Sequence, residues 1–169
     1  ENENLALLPE EMGEIFKRVR AFYLSKMSYE DLFNHVDDQV QDNNSILVIA
    51  NTKKTVHTIY QEMKRYTNIG FKVYELTTNQ CAIHRLKKIE KIKKELKNNE
   101  RVILVSTQLV EAGVNLDFNI VYRTMAGISS LIQAMGRCNR EGKLEYGVFY
   151  ILKLEGENLG SLQDIKKEQ

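Results

Sequence analysis

The chain has 169 residues, 43% of them hydrophobic and 28% charged, proportions of one ordinary globular domain that argue against a disordered, collagen-like or membrane protein. With 24 Lys and Arg against 23 Asp and Glu the net charge is +1, so global electrostatics point neither to nucleic acid nor to a membrane, and any polyanion site must be local. A cytoplasmic protein with reduced thiols at Cys81 and Cys138 is expected: no window approaches about 18 apolar residues, and the start Glu1-Asn2-Glu3-Asn4 lacks signal-peptide character.

Residues 1–14 carry five glutamates and little periodicity, and are expected to form a linker. The lone proline, Pro9, and the missing initial Met point to a piece of something longer. RVRAFYL (18–24) reads as a strand, and Ser28 is placed to cap a helix to about residue 40. Strand and helix then alternate. SILVIA (45–50) precedes a helix over 53–66, FKVYEL (71–76) a helix over about 80–97, and RVILVS (101–106) follows. FNIVYR (118–123), a helix over 130–140 and GVFYIL (147–152) complete the series. The fold class expected is α/β, a mostly parallel sheet covered by helices on both faces. In the 80–97 helix, Ile83, Leu86, Ile89, Ile92 and Leu96 recur near helical period. Residues 84–101 hold eight Lys or Arg against three Glu, which fits either a solvated face or part of a nucleic-acid surface.

Ligands of open α/β sheets bind beyond the carboxyl ends of the strands. There the sequence offers Asn51-Thr52, Thr77-Thr78 and Ser106-Thr107-Gln108, small residues able to contact phosphate or to cap the next helix. In STQLVEAGVNLDF (106–118), Gly113 fits either a close backbone approach to a ligand or a left-handed turn, with Asn115 and Asp117 beyond it. In SSLIQAMGRCNREG (129–142), helical rotation places Gln133, Arg137 and Arg140 within roughly 60° of one another. Two arginines and a glutamine on one face suit phosphate recognition as well as plain solvation. No phosphate-cradling G-x-x-x-x-G-K-[ST] loop occurs: the only Gly-Lys, Gly142-Lys143, is followed by Leu144.

The strand-end NT, STQLVEAGVNLDF and QAMGRCNREG resemble, in order and spacing, motifs IV, V and VI of a superfamily 2 helicase. The EAGVN-L-DF form, the Cys138-Asn139 pair and SILVIANTKKT are most similar to the CRISPR-associated helicase-nuclease of type I systems. The resemblance spans residues 18–152. It implies a second RecA-like lobe over 18–155, a linker at 1–17 and a tail at 156–169. It further implies ATP and magnesium bound mainly by a first lobe of the same protein, single-stranded DNA as the track, and a type I effector complex as partner. By matching position, Arg140 would be the arginine finger and Arg137 a second γ-phosphate contact. Gln133, Gly113 and Asn115 would lie on the nucleotide side, and Thr52, Thr107 and Arg85 would touch the DNA backbone. The family usually has Asp where Asn115 stands. The competing expectations are the corresponding lobe of a restriction-type translocase and a non-catalytic α/β module that holds nucleic acid with its lysine helix.

Overall fold

A computed structural model describes residues 10–157 of the chain. Six strands form one sheet: β1 (Val19–Met27), β2 (Ser45–Ile49), β3 (Lys72–Leu76), β4 (Val102–Ser106), β5 (Ile120–Thr124) and β6 (Gly147–Leu154). Every pairing is parallel and the order is β1-β6-β5-β2-β4-β3. From β2 the chain runs out to the edge strand β3, returns to β4 between β3 and β2, then crosses to β5 and β6 on the other side. The connections leaving the neighbouring strands β2 and β5 run to opposite sides, so the carboxyl end of β2, beside β5, is the topological switch point of the sheet.

The helices are α1 (Glu10–Arg18), α2 (Tyr29–Asp42), α3 (Lys53–Met63), α4 (Ala82–Lys97) and α5 (Ile128–Met135). Because side chains alternate along a strand, each central strand feeds two cores. Ile46, Val48, Ile103, Val105, Ile120 and Tyr122 pack with α2 and α3. Leu47, Ile49, Val102, Leu104, Val121 and Phe149 pack with α4, α5 and the β4–β5 connection. β2 and β4 are buried along their whole lengths, which is why their sequences are unbroken apolar runs. No helix among the described residues is long and apolar enough to cross a membrane.

Several local expectations hold. Ser28 caps α2 in a full capping box with Asp31. Others change. Residues 10–18 are helical where little regular structure was expected, and Ile15 packs into the core beside α4 and α5. In α4, Ile92 is buried and Ile89 and Leu96 are partly so, but Ile83 and Leu86 are 64% and 63% exposed. Only the second half of that helix lies on the sheet. The expected tail, 156–169, lies outside the described residues except for its first two.

β6 starts at a point of close approach. A Cβ on Gly147 would stand 2.6 Å from Cys138 Sγ and 2.7 Å from Asn139 Cβ, both on buried side chains. Gly147→Ala is therefore expected to lower stability by about 1–3 kcal/mol through overpacking, measured as a fall in the urea midpoint at unchanged slope.

Candidate functional site

The arginine-bearing segment departs from the helix expected over 130–140. α5 ends at Met135, Gly136 closes it, and the chain turns inward. Phe118 and Cys138 form a parallel bridge, with Phe118 N–H donating to the Arg137 carbonyl and Asn139 N–H to the Phe118 carbonyl. Asn139 takes a positive φ of 43° and holds the turn by side-chain bonds to both the N–H and the carbonyl of Leu144. This extension beside the start of β5 outcompetes another helical turn. Gln133, Arg137 and Arg140 therefore do not share one helical ridge.

Their environments differ. Gln133 is exposed on α5. Arg137 is only 8% exposed, and its Nη2 donates to the Glu111 carbonyl at 2.8 Å, so it faces its own domain rather than open solvent. Its Nε is buried without a partner. Burial, and secondarily the nearby Arg140 charge, lowers its guanidinium pKa. Arg140 is exposed, and its guanidinium makes no hydrogen bond or ion pair among the described residues. Its backbone is fixed instead: Arg140 N–H donates to Asp117 Oδ1 at 2.7 Å, and Glu141 N–H to Oδ2 at 3.3 Å. Burial pushes the Asp117 carboxyl above its usual range, partly opposed by these two amides. The result is one arginine anchored inward and one presented outward.

Gly113 has φ +71°, and nothing of the chain lies within 4 Å of where its Cβ would stand, so the left-handed turn accounts for the glycine. Asn115 is exposed and borders a cavity of about 470 Å³ with Lys93, Lys97, Asp117, Glu141 and Lys143.

Thr52 and Thr107 lie just past the carboxyl ends of β2 and β4, and Arg85 stands in the first turn of α4, where its Nη1 donates to the Gln80 carbonyl. Thr52 Oγ1 caps α3 by accepting from Thr55 N–H at 3.0 Å, the simpler of its two expected uses. Thr107 follows β4, is 8% exposed, and its N–H donates to the Leu76 carbonyl at 3.3 Å. Arg85 lines a small groove with Leu76, Leu109 and Val114. Asp117, which holds the Arg140 turn, precedes β5 and so lies toward the opposite, amino end of the sheet.

Between the two groups runs a buried network that sequence reasoning did not single out. Arg123, at the end of β5, is 0% exposed. Its Nε lies 2.8 Å from Glu111 Oε1, an ion pair whose N–H is not aligned as a hydrogen bond. Its Nη1 donates to Asn51 Oδ1 at 2.8 Å and its Nη2 to Ser130 Oγ at 3.0 Å, while Ser130 donates to Glu111 Oε2 at 2.6 Å. Burial lowers the Arg123 pKa, with Glu111 opposing. Glu111 also supplies the carbonyl that receives Arg137. The one available sequence signal was an arginine ending an apolar strand.

Solved structures with this architecture include that described as T. fusca Cas3-ADP, 19% identical, TM-score 0.70, covering 84% of this chain and 19% of that one. Another is the C-terminal domain of the DEAD-box protein Dbp5, 18% identical, TM-score 0.60, covering 90% and 86%. The all-parallel sheet and its strand order are those of a second RecA-like helicase lobe. A family profile described as CRISPR-associated nuclease/helicase Cas3, C-terminal, matches residues 42–143, and the chain belongs to that family. Among curated proteins, the CRISPR-associated nuclease/helicase Cas3 of Methanothermobacter thermautotrophicus is 25% identical over 121 residues, and that of Streptococcus thermophilus 27% over 142. These matches take in 72% and 77% of this chain but 14% and 15% of the relatives.

Removing one partner of the buried pair should be costly. Arg123→Met strands the Glu111 carboxylate and is expected to lose about 3–5 kcal/mol in urea unfolding, most of it recovered when Glu111→Leu is added. A single-variant loss under about 1 kcal/mol would show that the pair does not hold the site together.

Proposed function

We propose that this chain is the second motor lobe of an ATP-dependent single-stranded DNA helicase of type I CRISPR interference, working with a first RecA-like lobe of the same protein. The observation that carries the reading is Arg140: a guanidinium with no partner among the described residues, on a turn fixed by Asp117, in a chain of the Cas3 C-terminal family. An exposed arginine held by its backbone but not by its side chain is free to meet an anion across an interface.

ATP fits this arrangement from one side only. When bound, it supplies the phosphoryl group whose transfer drives the motor; this chain has no phosphate-cradling loop, so the first lobe is assigned that task. No group of three or more His, Cys, Asp or Glu side chains converges among the described residues, and none is assigned to magnesium. Arg140 is assigned the finger, offsetting charge that grows on the transferring group, an effect of about 10³–10⁵ in rate or roughly 4–7 kcal/mol of barrier. Arg137 is assigned a supporting part. Its bond to the Glu111 carbonyl leaves Nε without a partner, so it can add positive potential while bracing the turn that carries Arg140. Gln133, Gly113 and Asn115 belong to the same inter-lobe side in this reading.

Thr52, Thr107 and Arg85 are assigned to the DNA backbone, which carries little sequence information. Thr52 would serve while keeping its capping bond, and Thr107 through its hydroxyl at the end of β4. Association with a type I effector complex is part of the same proposal. A solved neighbour described as a CRISPR RNA-guided surveillance complex, pre-nicking, supports it at fold level, with TM-score 0.63 over 82% of this chain.

The test is steady-state ATPase. The isolated chain should hydrolyse no ATP, and in the complete protein Arg140→Ala should lower kcat by about 10³-fold or more with nucleotide affinity nearly unchanged. Turnover by the purified chain alone, or a fully active Arg140→Ala protein, would overturn the assignment.

A further inference from the structure

At the carboxyl end of β2, the switch point of the sheet, an anion is already in place. Asn51 N–H donates to Glu157 Oε1 at 2.7 Å, and Asn51 Nδ2 reaches Glu157 Oε2 at 3.3 Å, so a single residue grips both oxygens of one carboxylate. Glu157 is 106 residues away in sequence, just past β6 and a tight turn. The shorter contact is in the range of charge-assisted bonds.

The grip is built from behind. Asn51 Oδ1 accepts from Nη1 of Arg123, a fully buried cation, and Nδ2 also donates to the Met125 carbonyl at 2.9 Å. These bonds fix which way the side-chain amide points. A main-chain N–H, a side-chain amide and a guanidinium one bond further in are groups proteins direct at phosphate oxygens. Among the described residues the Glu157 backbone makes one bond, of 3.3 Å, from its N–H to the Leu154 carbonyl. Asn51 directly precedes Thr52, and Ala50 N–H bonds the Ser106 carbonyl one residue before Thr107, so the site adjoins both threonines assigned to the DNA path.

We propose that Asn51 forms a subsite for one backbone phosphate of the tracked single strand, and that the Glu157 carboxylate occupies it until the strand displaces it. This rests on the DNA path proposed above. Two anions cannot share the two donors, so the strand binds against the cost of expelling Glu157. The carboxylate thereby sets a threshold on affinity. Removing its charge weakens the grip, because an amide offers Asn51 one acceptor oxygen in place of two, and removes a repulsive neighbour as well. Because Asn51 is bonded to Arg123, and Arg123 is paired with Glu111, the exchange takes place at one end of the network that also receives Arg137.

The experiment measures binding of a fluorescent oligothymidylate to the complete protein, without divalent metal so that no strand is cut. Glu157→Gln should bind about 3- to 10-fold more tightly than wild type. Glu157→Asp, which keeps the charge on a side chain one methylene shorter, should also tighten binding because it cannot reach Asn51. An unchanged or weaker affinity in Glu157→Gln overturns the proposal, as does tightening in Gln with wild-type affinity in Asp, which would reveal only net charge. Thr107→Val run in parallel separates the two levels. If it weakens binding while the Glu157 variants change nothing, the displaced carboxylate alone is wrong. If it leaves binding intact, the strand does not follow this edge and both proposals fall.

Discussion

Arg123 brings a full positive charge to the carboxyl end of β5 with no exposure to solvent, and the site depends on how that charge is accommodated. Isolated, it would cost several kcal/mol; here Glu111 faces it at 2.8 Å, and Asn51, Ser130 and Thr124 accept from its Nη groups. The four residues of this network come from different parts of the chain: just past β2, the β4–β5 connection, β5 itself and the first turn of α5. Satisfying one buried guanidinium therefore ties together the segments that carry Thr52, Thr107, Gly113 and Gln133. Such a pair adds little net stability over an apolar substitute, but it specifies a single arrangement, and each part of it is costly to remove alone.

From that centre the two ends of the domain receive different chemistry. Toward the switch point, Asn51 turns the guanidinium's demand into an oriented amide beside Thr52 and Thr107. Toward α5, the Glu111 main chain receives Arg137, and the following turn, held by Asp117 and by the Asn139 side chain, carries Arg140 outward. The central strands β2, β4 and β5 are buried along their whole lengths, so the strand-end threonines and the turn that carries Arg140 are tied to one scaffold. A lobe built this way suits a motor, which must relate events on nucleic acid to events at a nucleotide.

Much of the scaffold was legible in the chain because it rests on short-range rules. Unbroken apolar runs at 45–50 and 101–106 announced strands buried on both faces, and Ser28 announced a helix start. The motifs pointed to the segments that carry the candidate residues. Tertiary competition was not legible. α5 stops at Met135 because Arg137 and Asn139 gain bonds to Phe118, a partner nearly twenty residues upstream that periodicity cannot weigh. The same limit hid the inward turn of Arg137 and the exposure of Ile83 and Leu86, whose helical spacing looked like core. Arg123 went unremarked because burial of a charge shows in sequence only through its partners, and those lie 12 and 72 residues away.

The central claim is that Arg140, left without a side-chain partner on a backbone-anchored turn, completes a nucleotide site across a gap. The direct measurement is a structure of the complete protein with a non-hydrolysable ATP analogue between its lobes. The account predicts the Arg140 guanidinium within hydrogen-bonding distance of the terminal phosphate, with Arg137 still bonded to the Glu111 carbonyl. An Arg140 side chain pointing to solvent, with another residue on that phosphate, would contradict it.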